Sequence, residues 1–244
     1  MRFVDSHLHL DSPDMERVVS YAKASGAVLL PCGVDERSSG ALLRAAAAHR
    51  GIEPFVGVHP SEATKSGELG WLEGALSEAA GVGEIGLDPS YSPTGPGSDQ
   101  LKAFTAQLEA AEKKGLPVQV HSRGAEAQSI EVLGGYRLKG VLMHWLEAEN
   151  ALDAVIERGW FVSFSPALVY SKKIQRVAKR CDLSLALTES DNPVPYAPLG
   201  GVRGTPLVPS VAFKLGELWG KPFQEALFLT AENAMRFLGR PSKG

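Results

Sequence analysis

Short runs of apolar and β-branched residues alternate with amphipathic stretches along the whole chain, and the alternation repeats eight times. A strand–helix repeat of this kind predicts a parallel sheet, because each helix crosses back over the sheet before the next strand begins. The predicted strands are Phe3–His9, Ala27–Gly33, Ile52–His59, Gly81–Leu87, Pro117–Ser122, Gly140–Trp145, Phe161–Ser165 and Ser184–Glu189.

Helices are predicted between these strands and after the last one. They cover Asp14–Ser25, Ser39–Arg50, Glu68–Ala79, Asp99–Lys114, Gly124–Leu133, Glu147–Glu157, Lys172–Arg180, Pro209–Trp219 and Phe223–Leu238. Eight strand–helix units over 244 residues are typical of a (β/α)8 TIM barrel. A doubly wound open sheet shows the same alternation, but no Gly-x-Gly-x-x-Gly loop follows the first strand. We therefore expect a single α/β barrel domain over residues 1–244.

Composition narrows the function classes. No apolar run approaches the roughly 20 residues that cross a bilayer, and the first residues lack the apolar stretch of a signal peptide. The cysteines, Cys32 and Cys181, are too few for a disulfide framework, which indicates a reducing, cytoplasmic compartment. The net charge of −3 provides no overall attraction to nucleic acid. No membrane partner and no protein partner is implied.

Five of the six histidines share one kind of position, the C-terminal end of a predicted strand, and only His49 lies in a predicted helix. The five are His7, His9, His59, His121 and His144. In a barrel these strand ends surround the face that carries the active site. The distribution therefore predicts that the histidines gather in one functional site.

The first and fourth strands provide residues suited to metal binding. His7 and His9 are two apart in a strand, so both imidazoles point to the same side and can bind one metal. Glu84 lies in an apolar segment, where an unpaired carboxylate is costly, and its two oxygens can bridge two cations. The alternatives are two unrelated polar residues on a solvated face and, for Glu84, an ion pair with a basic residue.

Three further strand ends provide candidates. His121 ends an apolar run as a candidate ligand, and Arg123 is placed to meet an anion. In isolation, His144 would be interpreted as a core histidine and Asp191 as a turn or N-cap residue. At a shared site, Asp191 could bind a metal and also take a proton from the attacking water.

The combined set predicts two divalent cations, and Zn²⁺, Mn²⁺ and Mg²⁺ all remain open. The predicted ligands are His7, His9, Glu84, His121, His144 and Asp191. Glu84, as the bridge, and Asp191, as the base, are the predicted catalytic residues. A metal pair activates water and stabilises charge on the attacked centre, so hydrolysis is the predicted reaction class.

Ordered segments from residue 5 to residue 238 resemble the TatD-like metal-dependent hydrolases of the amidohydrolase superfamily. They are Asp5–Asp11 (DSHLHLD), Gly57–Pro60 (GVHP), Gly83–Asp88 (GEIGLD), Val120–Arg123 (VHSR), His144, Glu189–Pro193 (ESDNP) and Asn233–Leu238 (NAMRFL). The resemblance implies a TIM barrel and metal-dependent phosphodiester hydrolysis, often as a deoxyribonuclease or 3′–5′ exonuclease.

The resemblance also implies a role for each matching residue. The ligands would be His7, His9 and Asp191 for one metal, His121 and His144 for the other, and Glu84 for both. His59 and Arg123 would contact the phosphate of a DNA or oligonucleotide substrate.

The chain departs from the family pattern around these ligands. Ser61 stands where a second histidine often follows His59–Pro60, Trp145 follows His144 in place of a common Cys-Phe-Ser-Gly, and Arg203–Pro206 replaces a typical Arg-x-Asn-Glu-Pro. These departures favour the alternative of an ester or amide substrate, such as an aminoacyl ester. A further alternative is a barrel that binds metal or ligand without turnover.

The predicted seventh helix carries basic residues at helical spacing. They are Lys172, Lys173, Arg176, Lys179 and Arg180. Such a stripe could follow a nucleic-acid strand, and the alternative is an ordinary solvated face.

Overall fold

The computed structural model describes residues 3–10, 15–64, 69–92, 97–144 and 146–240. Asp11 and Trp145, which belong to the segments compared above, lie outside the described residues. The strands are β1 (Val4–Leu8), β2 (Val28–Pro31), β3 (Phe55–Val56), β4 (Gly81–Gly86), β5 (Val118–His121), β6 (Val141–His144), β7 (Phe161–Phe164) and β8 (Ala186–Thr188). Each predicted strand is present.

The strands follow one another around a parallel barrel in chain order. Strands β3 to β8 form one sheet, β1 pairs with β2, and isolated parallel bridges join β2 to β3. The ring closes between β8 and β1, where the Thr188 hydroxyl donates to the Val4 carbonyl at 3.1 Å. Just beyond, the Asp191 N–H donates to the His7 carbonyl at 3.0 Å. This closed order is the predicted (β/α)8 barrel.

Helices cover the outside of the barrel. They are α1 (Met15–Ser25), α2 (Glu36–Ala48), α3 (Gly70–Ala75), α4 (Ser98–Lys114), α5 (Glu126–Leu133), α6 (Glu149–Glu157), α7 (Lys172–Arg180), α8 (Val208–Trp219) and α9 (Phe223–Phe237). Helix α2 begins earlier than predicted because the Asp35 side chain accepts from the Ser38 N–H at 2.7 Å, as an N-cap does. Among the described helices, none has both the length and the apolar character needed to cross a membrane.

Strand β3 is much shorter than its predicted range of Ile52–His59. The side chain of Gln107, on α4, takes over the strand hydrogen bonds of Val58: its oxygen accepts from the Val58 N–H at 2.7 Å, and its amide donates to the Val58 carbonyl at 3.1 Å. Because a helix side chain occupies these groups, the ladder to the next strand ends before His59.

The C-terminal helix closes the bottom of the barrel. The ring of Phe237 stacks on that of Phe55, with centroids 5.6 Å apart. The Asn233 amide donates to the carbonyls of Leu183 and Ala186, at 2.7 and 2.9 Å, which ties α9 to the start of β8. The Asn233–Leu238 motif therefore anchors this helix at the end of the barrel opposite the strand ends.

Candidate metal centre

The C-terminal strand ends bring all the predicted ligands into one cluster. The ligand atoms fall into three groups, each within 4.8 Å: His7, His144 and Asp191; His7, His9 and Glu84; and His59, Glu84 and His121. His7 and Glu84 each belong to two of the groups, so neighbouring cation positions would share them. The ligand atoms of each group lie close enough together to bind one metal ion. The assignment of these residues as metal ligands stays a prediction.

His7 is fixed with one ring nitrogen directed into the cluster. Its Nδ1 lies 2.7 Å from the Gln119 oxygen, whose orientation is set because the Gln119 amide donates to the Leu30 carbonyl. Nδ1 therefore carries the proton, and Nε2 lies 3.6 Å from Glu84 and 3.8 Å from Asp191. This buried Nε2 has no hydrogen-bond partner among the described residues. Burial lowers the pKa of His7 to about 3, which leaves a neutral lone pair suited to a metal.

Glu84 lies between two histidines that it holds in the charged form. His9 Nδ1 donates to the Cys32 carbonyl at 3.0 Å, and its Nε2 lies 3.3 Å from Glu84. His121 contacts Glu84 through Nδ1 at 2.8 Å and Asp88 through Nε2 at 2.7 Å. Although burial opposes charge, the neighbouring carboxylates raise the pKa of both histidines to about 9. Burial opposes the charge of Glu84 as well, but His7, His59 and His121 hold the pKa of this carboxyl group well below its usual range.

The close approach of β4 and β5 depends on Gly86. It pairs with His121 in the strand register and has a positive φ of 144°. A Cβ at this position would lie 1.9 Å from the His121 carbonyl oxygen. Glycine is therefore required for His121 to reach Glu84.

Glu189 is a site residue to which the sequence assigned no role. Its carboxylate accepts from His144 Nδ1 at 2.9 Å, and the His144 ring stacks on that of His7 with centroids 3.7 Å apart. Burial raises the pKa of Glu189 to about 7. A carboxylate behind a histidine fixes the ring orientation and increases the basicity of the other nitrogen. Its position at the end of the predicted eighth strand, two residues before Asp191, was the available signal in the sequence.

We expect Glu189→Gln to weaken metal binding about 10- to 100-fold, because the His144 ring loses its charged partner. Isothermal titration of the metal-free protein with Zn²⁺ or Mn²⁺ measures the change. Glu53→Gln is the matched control, since Glu53 pairs with Arg240 after α9, outside the metal groups. Equal metal affinity in the two variants would contradict the role of Glu189.

The turn after β8 places Asp191 against β1. Asp191 has a positive φ of 48°, and its neighbour Asn192 accepts from the His9 N–H at 2.7 Å and donates to the His9 carbonyl at 2.9 Å. These bonds hold the turn beside both histidines of β1. Burial, with a smaller contribution from the charge of Glu189, raises the pKa of Asp191 to about 7. A carboxyl group that titrates near neutrality is suited to proton transfer.

His59 presents a donor to the cluster. Its Nδ1 accepts from the Ser61 N–H at 3.1 Å and lies 2.8 Å from the Ser61 hydroxyl, so the ring proton is on Nε2. Nε2 lies 3.9 Å from Glu84, and burial lowers the pKa of His59 to about 4. A neutral ring with its proton on Nε2 can donate a hydrogen bond to an anion. Ser61, one of the departures from the family pattern, therefore fixes which nitrogen of His59 carries the proton.

Arg123 follows β5 and is exposed. Within the described chain, its guanidinium makes no ion pair. A free guanidinium can hold a carboxylate or a phosphate with two parallel hydrogen bonds.

The groups differ from the ligand pairing that the resemblance implies. His144 lies with His7 and Asp191, whereas His121 lies with Glu84 and His59. The ring centroids of His121 and His144 are 6.2 Å apart. The distribution of ligands over two metals therefore stays a prediction.

The basic stripe on α7 is partly neutralised by acidic residues on α6 and by Glu147, which lies just before α6. The ion pairs are Lys173 with Glu147 at 3.0 Å, Arg176 with Glu149 at 2.6 Å, and Arg180 with Asp153 at 2.7 Å. These pairs favour the interpretation as an ordinary solvated face over a path for nucleic acid.

A closed parallel barrel with histidines and carboxylates gathered at its C-terminal strand ends is typical of one class of protein, the metal-dependent hydrolases with a barrel fold. The family model of the TatD related DNases matches residues 4–239. This chain therefore belongs to the TatD family of metal-dependent hydrolases.

Known proteins similar to this chain match it over nearly its whole length. The human protein named deoxyribonuclease TATDN3 is 28% identical, with 96% of this chain and 93% of the relative covered. The metal-dependent hydrolase TatD of Mycobacterium tuberculosis is 25% identical, with 97% of each chain covered. The crystal structure of the TatD homologue YJJV from Escherichia coli has a TM-score of 0.86 at 22% identity, with 98% of each chain covered. This last likeness supports the fold.

Proposed function

We propose that this protein hydrolyses phosphodiester bonds of DNA, as a deoxyribonuclease that acts on strand ends in the 3′–5′ direction, with two divalent metal ions. The observation that carries the proposal is the sharing of Glu84 between two groups of candidate ligands. Its carboxylate reaches His9 through one oxygen and His121 through the other. The name of the human relative, a deoxyribonuclease, supports the same substrate.

The residues present fit divalent metals. The buried Nε2 of His7 lacks a partner in the described chain and is directed at two carboxylates, an arrangement that a cation would satisfy. His7, His9, Glu84, His121, His144 and Asp191 would hold the ions. When bound, the metals supply a Lewis acid and lower the pKa of water. Histidine and carboxylate ligands accept Zn²⁺, Mn²⁺ or Mg²⁺.

The side chains of the protein would accept the proton of the water and bind the substrate phosphate. Asp191 accepts the proton of the attacking water, a role that its position beside His7 and His144 in the cluster supports. His59 donates from Nε2 to a non-bridging phosphate oxygen, and Arg123 holds the same phosphate. Glu84 keeps the two ligand groups at a fixed separation.

We expect Arg123→Ala to lower kcat/KM on a single-stranded oligonucleotide about 10- to 100-fold, because a charge-assisted hydrogen bond to phosphate is lost. Arg50→Ala is the matched control, since Arg50 is also exposed but follows the C-terminal end of α2. The assay uses a labelled oligonucleotide with each metal in turn.

A substrate panel separates the proposed function from its alternative. The metal-loaded protein is given single-stranded DNA, a nitrophenyl phosphodiester and an aminoacyl ester. Hydrolysis of the ester alone would overturn the phosphodiester proposal and establish the ester or amide alternative. Turnover of DNA with equal rates in wild type and Arg123→Ala would keep the reaction but remove Arg123 from the phosphate site.

A further inference from the structure

Tyr91 is an exposed aromatic side chain at the edge of the metal centre. It lies in a 3-10 turn, Pro89–Tyr91, that follows β4. Its ring packs edge-on with that of His59, with centroids 5.5 Å apart and planes at 76°, yet 51% of the residue stays exposed. The other exposed aromatic residues of the described chain contact no candidate ligand. They are Tyr170, Phe213 and Phe228.

The turn that carries Tyr91 is fixed to the site. One oxygen of Asp88 accepts from the Ser90 N–H at 2.8 Å and from its hydroxyl at 2.6 Å, and the other contacts His121 at 2.7 Å. The Gln100 side chain holds the Asp88 backbone by donating to its carbonyl at 2.9 Å and accepting from its N–H at 3.0 Å. Tyr91 is therefore presented by an anchored turn rather than by a loose loop.

Arg123 is carried by the neighbouring loop. A Cβ at Gly124 would lie 3.4 Å from Cγ of Pro89. The loop after β5 therefore packs against the turn that carries Tyr91. The Tyr91 ring, the His59 donor and the loop that carries Arg123 thus lie at one edge of the cluster.

We propose that Tyr91 forms a nucleobase subsite, on which the base next to the scissile phosphate stacks while His59 and Arg123 hold that phosphate. The inference rests on the proposed function and specifies its substrate: a nucleotide unit with an accessible base, as in single-stranded DNA. A base inside a duplex has both faces covered by its neighbours. Because every base has a π-face, such a subsite accepts all four bases.

Two reporters that share a leaving group test the subsite. Thymidine 5′-(4-nitrophenyl phosphate) carries a base, whereas methyl 4-nitrophenyl phosphate carries none. We expect Tyr91→Ala to lower kcat/KM for the thymidine reporter at least about fivefold, the lower end of the range for base stacking on an aromatic ring. The methyl reporter should react at the wild-type rate. Tyr91→Phe, which retains the ring, should match wild type on both.

Binding to the metal-free protein provides a second measurement. Fluorescence anisotropy compares a labelled strand of five thymidines with a strand of five abasic residues. We expect Tyr91→Ala to lose affinity for the first strand and to keep the wild-type affinity for the second. Tyr170→Ala, an exposed tyrosine that contacts no candidate ligand in the described chain, should behave as wild type on both strands.

The outcomes separate the subsite from the reaction. An equal effect of Tyr91→Ala on both reporters, or a loss in Tyr91→Phe as large as in Tyr91→Ala, would overturn the subsite while phosphodiester hydrolysis stands. No hydrolysis of either reporter by the metal-loaded wild type would overturn the proposed function. In that case, base-dependent binding through Tyr91 would still support the subsite, whereas base-independent binding would overturn the subsite as well.

Discussion

Asp191→Asn is expected to reduce kcat for phosphodiester hydrolysis by about 10²- to 10⁴-fold, the usual contribution of a general base. The amide cannot accept the proton of the attacking water, although it retains an oxygen that can contact a metal. The change is isosteric, and the backbone bonds that hold the turn are unaffected, because the Asp191 N–H still donates to the His7 carbonyl. The measurement combines steady-state rates with metal content.

The matched control for this variant is Asp182→Asn. Asp182 is an aspartate next to the same strand, where it accepts from the Ser184 N–H at 2.8 Å, but it precedes β8 and therefore lies at the opposite end of the strand from Asp191. Its substitution should leave the rate unchanged. A rate within a few-fold of wild type in Asp191→Asn, with metal still bound, would show that another group takes the proton.

Removal of divalent metal should abolish hydrolysis, and the affinity for the returning metal should rise with pH between 7 and 9. In the metal-free site, Glu84 and its neighbours raise the pKa of His9 and His121 to about 9 against the effect of burial, so both are protonated at pH 7. A metal must displace these protons. Higher pH removes the competing proton, and affinity rises by up to about tenfold per pH unit for each proton released.

Calorimetric titration with Zn²⁺ or Mn²⁺ in two buffers of different ionisation enthalpy counts the protons released. His9→Gln should release fewer protons than wild type at pH 7. His49→Gln, which alters the one histidine predicted outside the site, should release the same number. A metal affinity that is constant from pH 7 to pH 9 would show that the histidines are neutral before metal binds.

The alternation of strands and helices was sufficient to predict the barrel, because it depends on local periodicity that each segment carries by itself. Strand β3 shows the limit of this reasoning. Its apolar run extends to Val58, but Gln107, far along the chain, takes the hydrogen bonds that would have continued the ladder. A contact between residues 49 positions apart leaves no trace in the local pattern.

The convergence of the candidate ligands was predictable because the strand ends of a barrel meet at one face. Their orientation was not predictable. Gln119 fixes the proton of His7 from 112 positions away, and Glu189, just after β8, orients His144 at the end of β6 from 45 positions away. Such contacts depend on side-chain packing inside the closed ring. Ser61, by contrast, acts on His59 from two positions away, where sequence inspection could have found it.

The contacts between β1 and the residues after β8 determine when the site can form during synthesis. Asp5, on β1, accepts from the Ser190 N–H at 2.8 Å and from the Thr205 hydroxyl at 2.7 Å, although these partners lie 185 and 200 positions later. During synthesis, His7 and His9 leave the ribosome long before the turn that carries Asp191 exists. A nascent chain that ends before this turn lacks Asp191 and therefore holds an incomplete set of the candidate ligands. The complete set comes together only after the ribosome has made the chain beyond Asp191.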